Sequence, residues 1–271
     1  MNALADRGAL LALMTDIAER AGRSILEVYA TDFAVRDKGV NDPVTIADER
    51  ANALIVDALS AAYPGVVIVA EESDKGRYAG FEGQGAAFFV DPLDGTREFV
   101  AKNGEFVVMI GLAENGRSVA GVVHAPARGA TWAGAVGHGA TVRDAKGTRA
   151  IAATHTLVHD ARAVVSRSRR GPALDAVLSR AGVREVVQLG SAGLKGAAVA
   201  TGDADLYVQL GNAGSLWDSC APEAIVRAAG GAYTDQHGEA VDYRGDLLLT
   251  KGLVAGSPEA CREVVATIAA G

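Results

Sequence analysis

The chain has 271 residues, of which 49% are hydrophobic and 22% charged, with a formal net charge of -7. That length and composition allow a large buried core, in one domain or two closely packed halves, and exclude a disordered or fibrous chain. The acidic balance disfavours a nucleic-acid backbone or an anionic membrane surface as partner, because both would repel it, so an anionic ligand would require metal ions or a local basic patch.

The N-terminal stretch carries Asp6 and lacks a basic start ahead of a long apolar run, so it does not read as an export signal, and no run approaches membrane-spanning length. Cys220 and Cys261 are too few and too far apart for a disulfide framework or a Cys-rich metal site, which fits a reducing cytoplasm. Leu10, Leu13, Ile17, Ala21, Ile25 and Val28 recur at spacings of three and four, predicting an amphipathic helix from about Ala3 to Tyr29. A short strand-like piece, DFAVRDKG, leads to a second helix. Thr45 and Asp48 fit a capping box there, Ile46, Leu54, Ala58, Leu59 and Ala62 are expected on its buried face, and Pro64 with Gly65 stops it. Asp48 either caps that helix or does chemistry.

Val66 to Val69 read as a buried parallel strand that delivers Glu71 and Glu72 at its end. Residues Ser73 to Gly85 are Gly-rich and charged, predicting an exposed loop. The segment FFVDPLDGTREFV then places an apolar run ahead of Asp91, with Pro92 and Gly95 turning the backbone and Asp94 three positions on. Carboxylates at the end of a buried strand need cations. With no Cys or His beside them, the hard, oxygen-seeking Mg²⁺ is the best match, and Thr96 adds a hydroxyl within the same turn. Two other readings compete. Asp94 and Thr96 could form a turn that caps the next helix. The Asp-x-Asp-Gly-Thr pattern of aspartyl-phosphate enzymes is the second, but Pro92 stands where its nucleophile would be.

Residues 103–142 alternate apolar runs with Gly and Asn turns, predicting antiparallel strands, with Trp132 as a strand-face aromatic and His124 and His138 lacking metal-ligand spacing. Beyond a junction near Gly137, strand and helix signals alternate: ARAVVS, GPALDAVLSRAG, VREVVQLG, SAGLKGAAVATG and DADLYVQLG. The expected division is therefore residues 1–136 and 137–271. In SLWDSCAPEAIVRAAGG, Asp218 lies at a helix start, Pro222 is expected in its first turn, and Gly230 with Gly231 ends it. Asp218 could be a cap alone, although a helix N-terminus is also a place to hold phosphate.

In order, Lys38 with PVTIAD, EES, DPLDGT, and WDSCAPE followed by GG resemble the inositol monophosphatase superfamily over nearly the whole chain. Within it, NGEF, SRSR, GSAGLK and LYVQLG resemble the CysQ-type 3'(2'),5'-bisphosphate nucleotidases, although Arg169 stands where those proteins commonly carry His; WDSCAPE also resembles the eukaryotic bisphosphate nucleotidases. The resemblance implies an α/β fold of mixed α+β type, layered as an αβαβα sandwich. It implies two or three Mg²⁺ ions held by Glu71, Asp91, Asp94, Asp218 and the Leu93 carbonyl, with Asp48, Thr96 and Glu71 as catalytic residues. Gly95, Thr96, Ser166, Arg167, Arg169, Gly190, Ser191, Lys195 and Tyr207 would contact substrate; a solvated loop is the other reading of the two arginines.

The implied reaction is lithium-sensitive hydrolysis of 3'-phosphoadenosine 5'-phosphate to AMP and phosphate in sulfur assimilation, by a cytoplasmic monomer or homodimer. An inositol monophosphatase or broad sugar phosphatase shares the metal motif without needing SRSR and GSAGLK. A non-catalytic metal or phosphate sensor would be expected to have lost an acid, and none is lost.

Overall fold

The computed structural model describes residues 4–39, 42–78, 81 and 85–271. Helix α1 (Arg7–Tyr29) begins at Asp6, whose carboxylate accepts the Ala9 N–H at 3.0 Å, and buries the expected stripe except Leu13, which is half-buried while Met14 takes the inward place. Strands β1 (Val35–Gly39) and β2 (Asp42–Thr45) pair antiparallel and lead into α2 (Ile46–Ala62). The side chain of Lys38, and residues 79–80 and 82–84 of the expected loop, lie outside the described residues.

The buried face of α2 is rotated from the expected one. Ala47, Asp48, Ala51, Asn52, Ile55, Val56 and Leu59 face inward; of the expected residues Leu59 is buried, Leu54 and Ala58 are half-buried, and Ile46 and Ala62 are exposed. The small alanines let α2 lie close to α1 and to the sheet beneath, and that phase turns Asp48 toward the interior.

Seven strands form one sheet in chain order: β3 (Val67–Ala70), β4 (Ala86–Asp94), β5 (Val107–Glu114), β6 (Arg117–Ala125), β7 (Ala130–Ala135), β8 (Gly139–Asp144) and β9 (Gly147–Ile151). Only β3 runs parallel to its neighbour; the rest is an antiparallel meander, as expected. β3 is an edge strand, so Val67 and Ile68 are half-buried and not core as expected. The meander runs past Gly137 to Ile151, so the two sheets divide there. Alternation on β4 sends Phe88 and Val90 toward α1 and α2, and Ala87 and Phe89 to the opposite face.

The second sheet has the order β11 (Glu185–Leu189), β10 (Arg162–Ser166), β12 (Leu206–Gln209), β14 (Leu253–Gly256), β13 (Ala232–Thr234), with β10 parallel to both of its neighbours. Helices α5 (Ala192–Thr201) and α6 (Leu216–Ala228) lie between the sheets, and α4 (Pro172–Ala181) with α7 (Pro258–Ala269) cover the outer face. The result is the five-layered αβαβα sandwich.

A row of glycines seats α6. Gly111, Gly121 and Gly134 are directly paired neighbours across β5, β6 and β7. A Cβ on Gly121 would meet the Ala221 carbonyl oxygen at 2.4 Å, and one on Gly111 the Cys220 sulfur at 2.6 Å. The helix backbone therefore rests on the sheet backbone. Gly121→Ala is expected to cost about 1–3 kcal/mol, because neither backbone can give way without moving the helix. Urea unfolding checks this; an unchanged midpoint would mean that α6 is not seated so tightly.

Because Ser215 caps α6, Asp218 is its third residue and Pro222 lies inside the helix, not in its first turn as expected. Proline has no N–H to donate to the carbonyl four residues back, which is that of Asp218.

Candidate active site

The motif Asp91 to Thr96 interrupts β4. Pairing with β5 shifts between Asp91 and Asp94, a bulge at Pro92 and Leu93, where proline cannot donate to the ladder. The bulge turns both acids to one end of the strand. Asp91 Oδ1 accepts the Leu93 N–H at 2.9 Å. Short helix α3 (Thr96–Val100) follows, entered through Gly95 at φ 95°, where a Cβ would also meet the Glu105 carbonyl oxygen at 2.7 Å.

Two helices bring further acids by the same device. On α2, Asp48 Oδ2 accepts the Thr45 N–H at 2.8 Å and the Thr45 hydroxyl at 2.7 Å, while Oδ1 lies 3.3 Å from the Thr96 hydroxyl. On α6, Asp218 Oδ2 accepts the Ser215 N–H at 2.6 Å. Each aspartate is thus the acid of a capping box, and Asp48 extends its second oxygen to Thr96, so capping and chemistry are not exclusive. Asp94 is held from the other half of the chain: its Oδ2 accepts the Ser191 hydroxyl at 2.5 Å and the Gly193 N–H at 2.8 Å.

One carboxylate oxygen from each of Asp91, Asp94 and Asp218 lies within 4.8 Å of the others. Burial, reinforced by the charges of Glu71, Asp94 and Asp218, holds the Asp91 carboxyl well above the usual range, and burial with Asp94 raises Asp218. Burial also raises Asp48, against the lowering bonds from Thr45. Acids that resist ionisation together are relieved by a cation, and an all-oxygen donor set fits a hard one.

These groups open on a cleft of about 460 Å³ between the two sheets. Glu71, Asp91, Leu93, Asp94, Gly95, Thr96, Ser166, Arg169, Gly190, Ser191, Lys195, Tyr207 and Asp218 all line it. Asp48 stands behind Thr96, and Arg167 is outside the lining, bound to Glu105 at 2.8 and 2.9 Å. Lys195 is 3% exposed, with Nζ donating to the Ser191 carbonyl at 2.5 Å and 5.2 Å from the centre of the Tyr207 ring. Burial pushes its pKa down to about 8, against the charges of Asp94 and Glu98.

Sequence reasoning missed Glu98 and Gln209, which line the same cleft. Glu98 is buried beside Gly190, where a Cβ would come within 2.4 Å of it. Gln209 follows Tyr207 by two on β12, and that period of two was the available signal.

The model of the inositol monophosphatase family matches residues 7–270. The chain belongs to that family, and its class is accordingly that of a metal-dependent phosphatase. Among relatives, the 3'(2'),5'-bisphosphate nucleotidase CysQ of Escherichia coli O157:H7 is 35% identical over 239 residues, covering 86% of this chain and 94% of that protein. CysQ of Aggregatibacter actinomycetemcomitans is 31% identical over 86% of this chain and 87% of its own length. The solved structure of extragenic suppressor protein SuhB from Bartonella henselae superposes with a TM-score of 0.81 at 28% identity, covering 97% of this chain and 99% of that one. The inositol monophosphatase of Anabaena gives a TM-score of 0.80 at 25% identity, over 97% and 96% of the two chains.

Among the described residues, no helix is long and apolar enough to cross a membrane.

Proposed function

We propose that the cleft hydrolyses 3'-phosphoadenosine 5'-phosphate to AMP and phosphate, using two or three Mg²⁺ ions held by Glu71, Asp91, Asp94, Asp218 and the Leu93 carbonyl. The observation that carries the substrate is Lys195. A buried ammonium held only by a backbone carbonyl is costly, and among the described residues neither Lys195 nor Arg169 makes a direct ion pair: the charges of Asp94 and Glu98 reach Lys195 from beyond salt-bridge distance, and both cations line the cleft. An acidic cluster that binds cations, beside a basic pole whose groups have no directly paired anion, suits a substrate with two phosphates, one at each. The two CysQ proteins, named for bisphosphate substrates, support the same reading.

Bound among the acids, the cations supply charge that neutralises the scissile phosphate and acidifies the attacking water. The chain's own groups do the rest. Thr96 Oγ1, 3.2 Å from the Leu93 carbonyl and 3.3 Å from Asp48 Oδ1, has one proton for two acceptors, so its lone pairs remain to orient that water. Asp48, raised by burial toward neutrality, accepts the proton released. Gly95 and Thr96 border the position of the scissile phosphate, Ser166, Gly190 and Ser191 line the path to the second, and Tyr207 underlies Lys195 toward the nucleoside. The two buried free thiols, Cys220 and Cys261, suit a reducing cytoplasm.

Phosphate release from 3'-phosphoadenosine 5'-phosphate, its sulfated analogue, inositol 1-phosphate and fructose 1,6-bisphosphate tests the reading; equal or better turnover of inositol 1-phosphate would overturn it. A pH dependence follows as well. Lys195 is charged below about 8 and neutral above it, so kcat/KM for the bisphosphate should fall as pH rises through that value. Lys195→Arg, charged throughout, should flatten the fall, and a profile unaltered by the exchange would remove Lys195 from the basic pole.

A further inference from the structure

Arg167 belongs to the basic SRSR stretch but does not enter the cleft. Both Glu105 oxygens accept its Nη2, and Glu105 Oε2 also accepts the Gly190 N–H at 2.7 Å. The next residue, Ser191, adopts φ 59°, a left-handed conformation that costs energy for any residue with a side chain. From there its hydroxyl donates to Asp94 Oδ2 at 2.5 Å and accepts the Leu194 N–H at 3.1 Å. One continuous line of bonds therefore runs from Arg167 through Glu105, Gly190 and Ser191 to Asp94. It joins the loop after α3, which follows the acidic motif, to the ends of β10 and β11 in the other sheet.

We infer that Glu105, held by Arg167, is a positioning residue: it fixes the strained Gly190–Ser191 backbone so that the Ser191 hydroxyl sets the orientation of the Asp94 carboxylate. An exposed ion pair would contribute little by itself, but the Glu105 side chain is only 16% exposed and takes a backbone N–H as well as the guanidinium. Against the cost of its burial, the bonds from Arg167 and Gly190 hold its carboxyl below the usual range, which keeps it an acceptor on both sides. Gly190 is closed to any side chain by Glu98; its N–H is held by Glu105 on one side, while the Ser191 carbonyl is held by Lys195 on the other. The strain at Ser191 persists because both flanking contacts oppose its release.

The inference rests on Asp94 being a metal ligand, as proposed above, and its test needs no substrate. Mg²⁺ titrations that follow the rise in melting temperature would compare the wild-type protein with Glu105→Ala, Arg167→Ala and the double variant. Each single substitution should weaken apparent Mg²⁺ affinity about ten- to a hundredfold, the range for groups that orient a metal ligand, and the double variant should lose no more than the stronger single. Turnover of 3'-phosphoadenosine 5'-phosphate and of inositol 1-phosphate should fall in the same proportion. Arg167→Ala trims a half-exposed side chain and keeps the test decisive if Glu105→Ala does not fold. Wild-type Mg²⁺ affinity in Arg167→Ala, with a loss confined to the bisphosphate, would overturn the inference and return Arg167 to substrate contact; so would losses that multiply in the double variant. A preference for inositol 1-phosphate with the Mg²⁺ coupling intact would instead overturn the nucleotidase reading alone.

Discussion

Asp94→Asn and Asp218→Asn are each expected to lower turnover by about a hundredfold or more, and excess chelator to abolish it in the unaltered protein. Asparagine keeps the volume and one acceptor oxygen, so the Ser191 and Gly193 bonds to position 94 and the Ser215 cap at position 218 can survive. What is lost is one negative charge on a metal ligand, and with it stabilisation of the phosphate's developing charge. Alanine would be a poorer choice at position 218, because removing the cap as well costs about 1 kcal/mol. Without metal, both variants should melt higher than the unaltered protein, since one of several mutually repelling buried acids is gone. Near-normal turnover at saturating Mg²⁺ would reduce the carboxylate concerned to a cap, and full activity in chelator would remove the metal mechanism.

Lys195→Ala should lower kcat/KM for 3'-phosphoadenosine 5'-phosphate by about ten- to a hundredfold, corresponding to about 1.5–3 kcal/mol for a charge-assisted contact. The acid cluster meets only the scissile phosphate, so discrimination must come from groups that reach the remainder of the substrate, and a second phosphate is its largest handle. Inositol 1-phosphate has no second phosphate to lose, so its turnover should change far less. Arg169→Ala should behave in the same way, as it lines the same pole. Equal losses on both substrates would place Lys195 in folding or in the shared metal site, and the protein would be a general phosphomonoesterase.

The acidic cluster was legible because strand ends and capping boxes are local patterns: Asp91 and Asp94 follow an apolar run, and Asp48 and Asp218 sit three residues after Thr45 and Ser215. Their convergence was not a local property. It depends on a bulge that pairs Asp94 with Val107 and on α2 turning Asp48 inward, a phase that apolar spacing alone misassigned. Arg167 and Arg169 look alike in sequence, yet one lines the cleft while the other binds Glu105, because Glu105 comes from 62 residues earlier in the chain. The boundary between the sheets was similarly hidden, since β8 and β9 are short strands, β9 largely exposed, whose membership is decided by pairing of β8 with β7 and of β9 with β8.

The glycine row under α6 makes that helix a lever with unequal arms. Gly111 and Gly121 lie beneath Cys220 and Ala221, two and three residues from Asp218, whereas Gly134 lies beneath Ile225 and Ala228, toward the far end. A methyl group at Gly121 acts near the working tip and must lift Asp218 away from Asp91 and Asp94. A methyl group at Gly134 meets its nearest atoms at 3.1–3.2 Å, a milder collision, and tilts the distal arm while the tip stays almost in place. Gly121→Ala should therefore lose Mg²⁺ affinity together with stability, and Gly134→Ala should lose some stability with Mg²⁺ affinity nearly kept. The thickness of a few backbone atoms on the sheet thus sets the spacing of acids that belong to different layers.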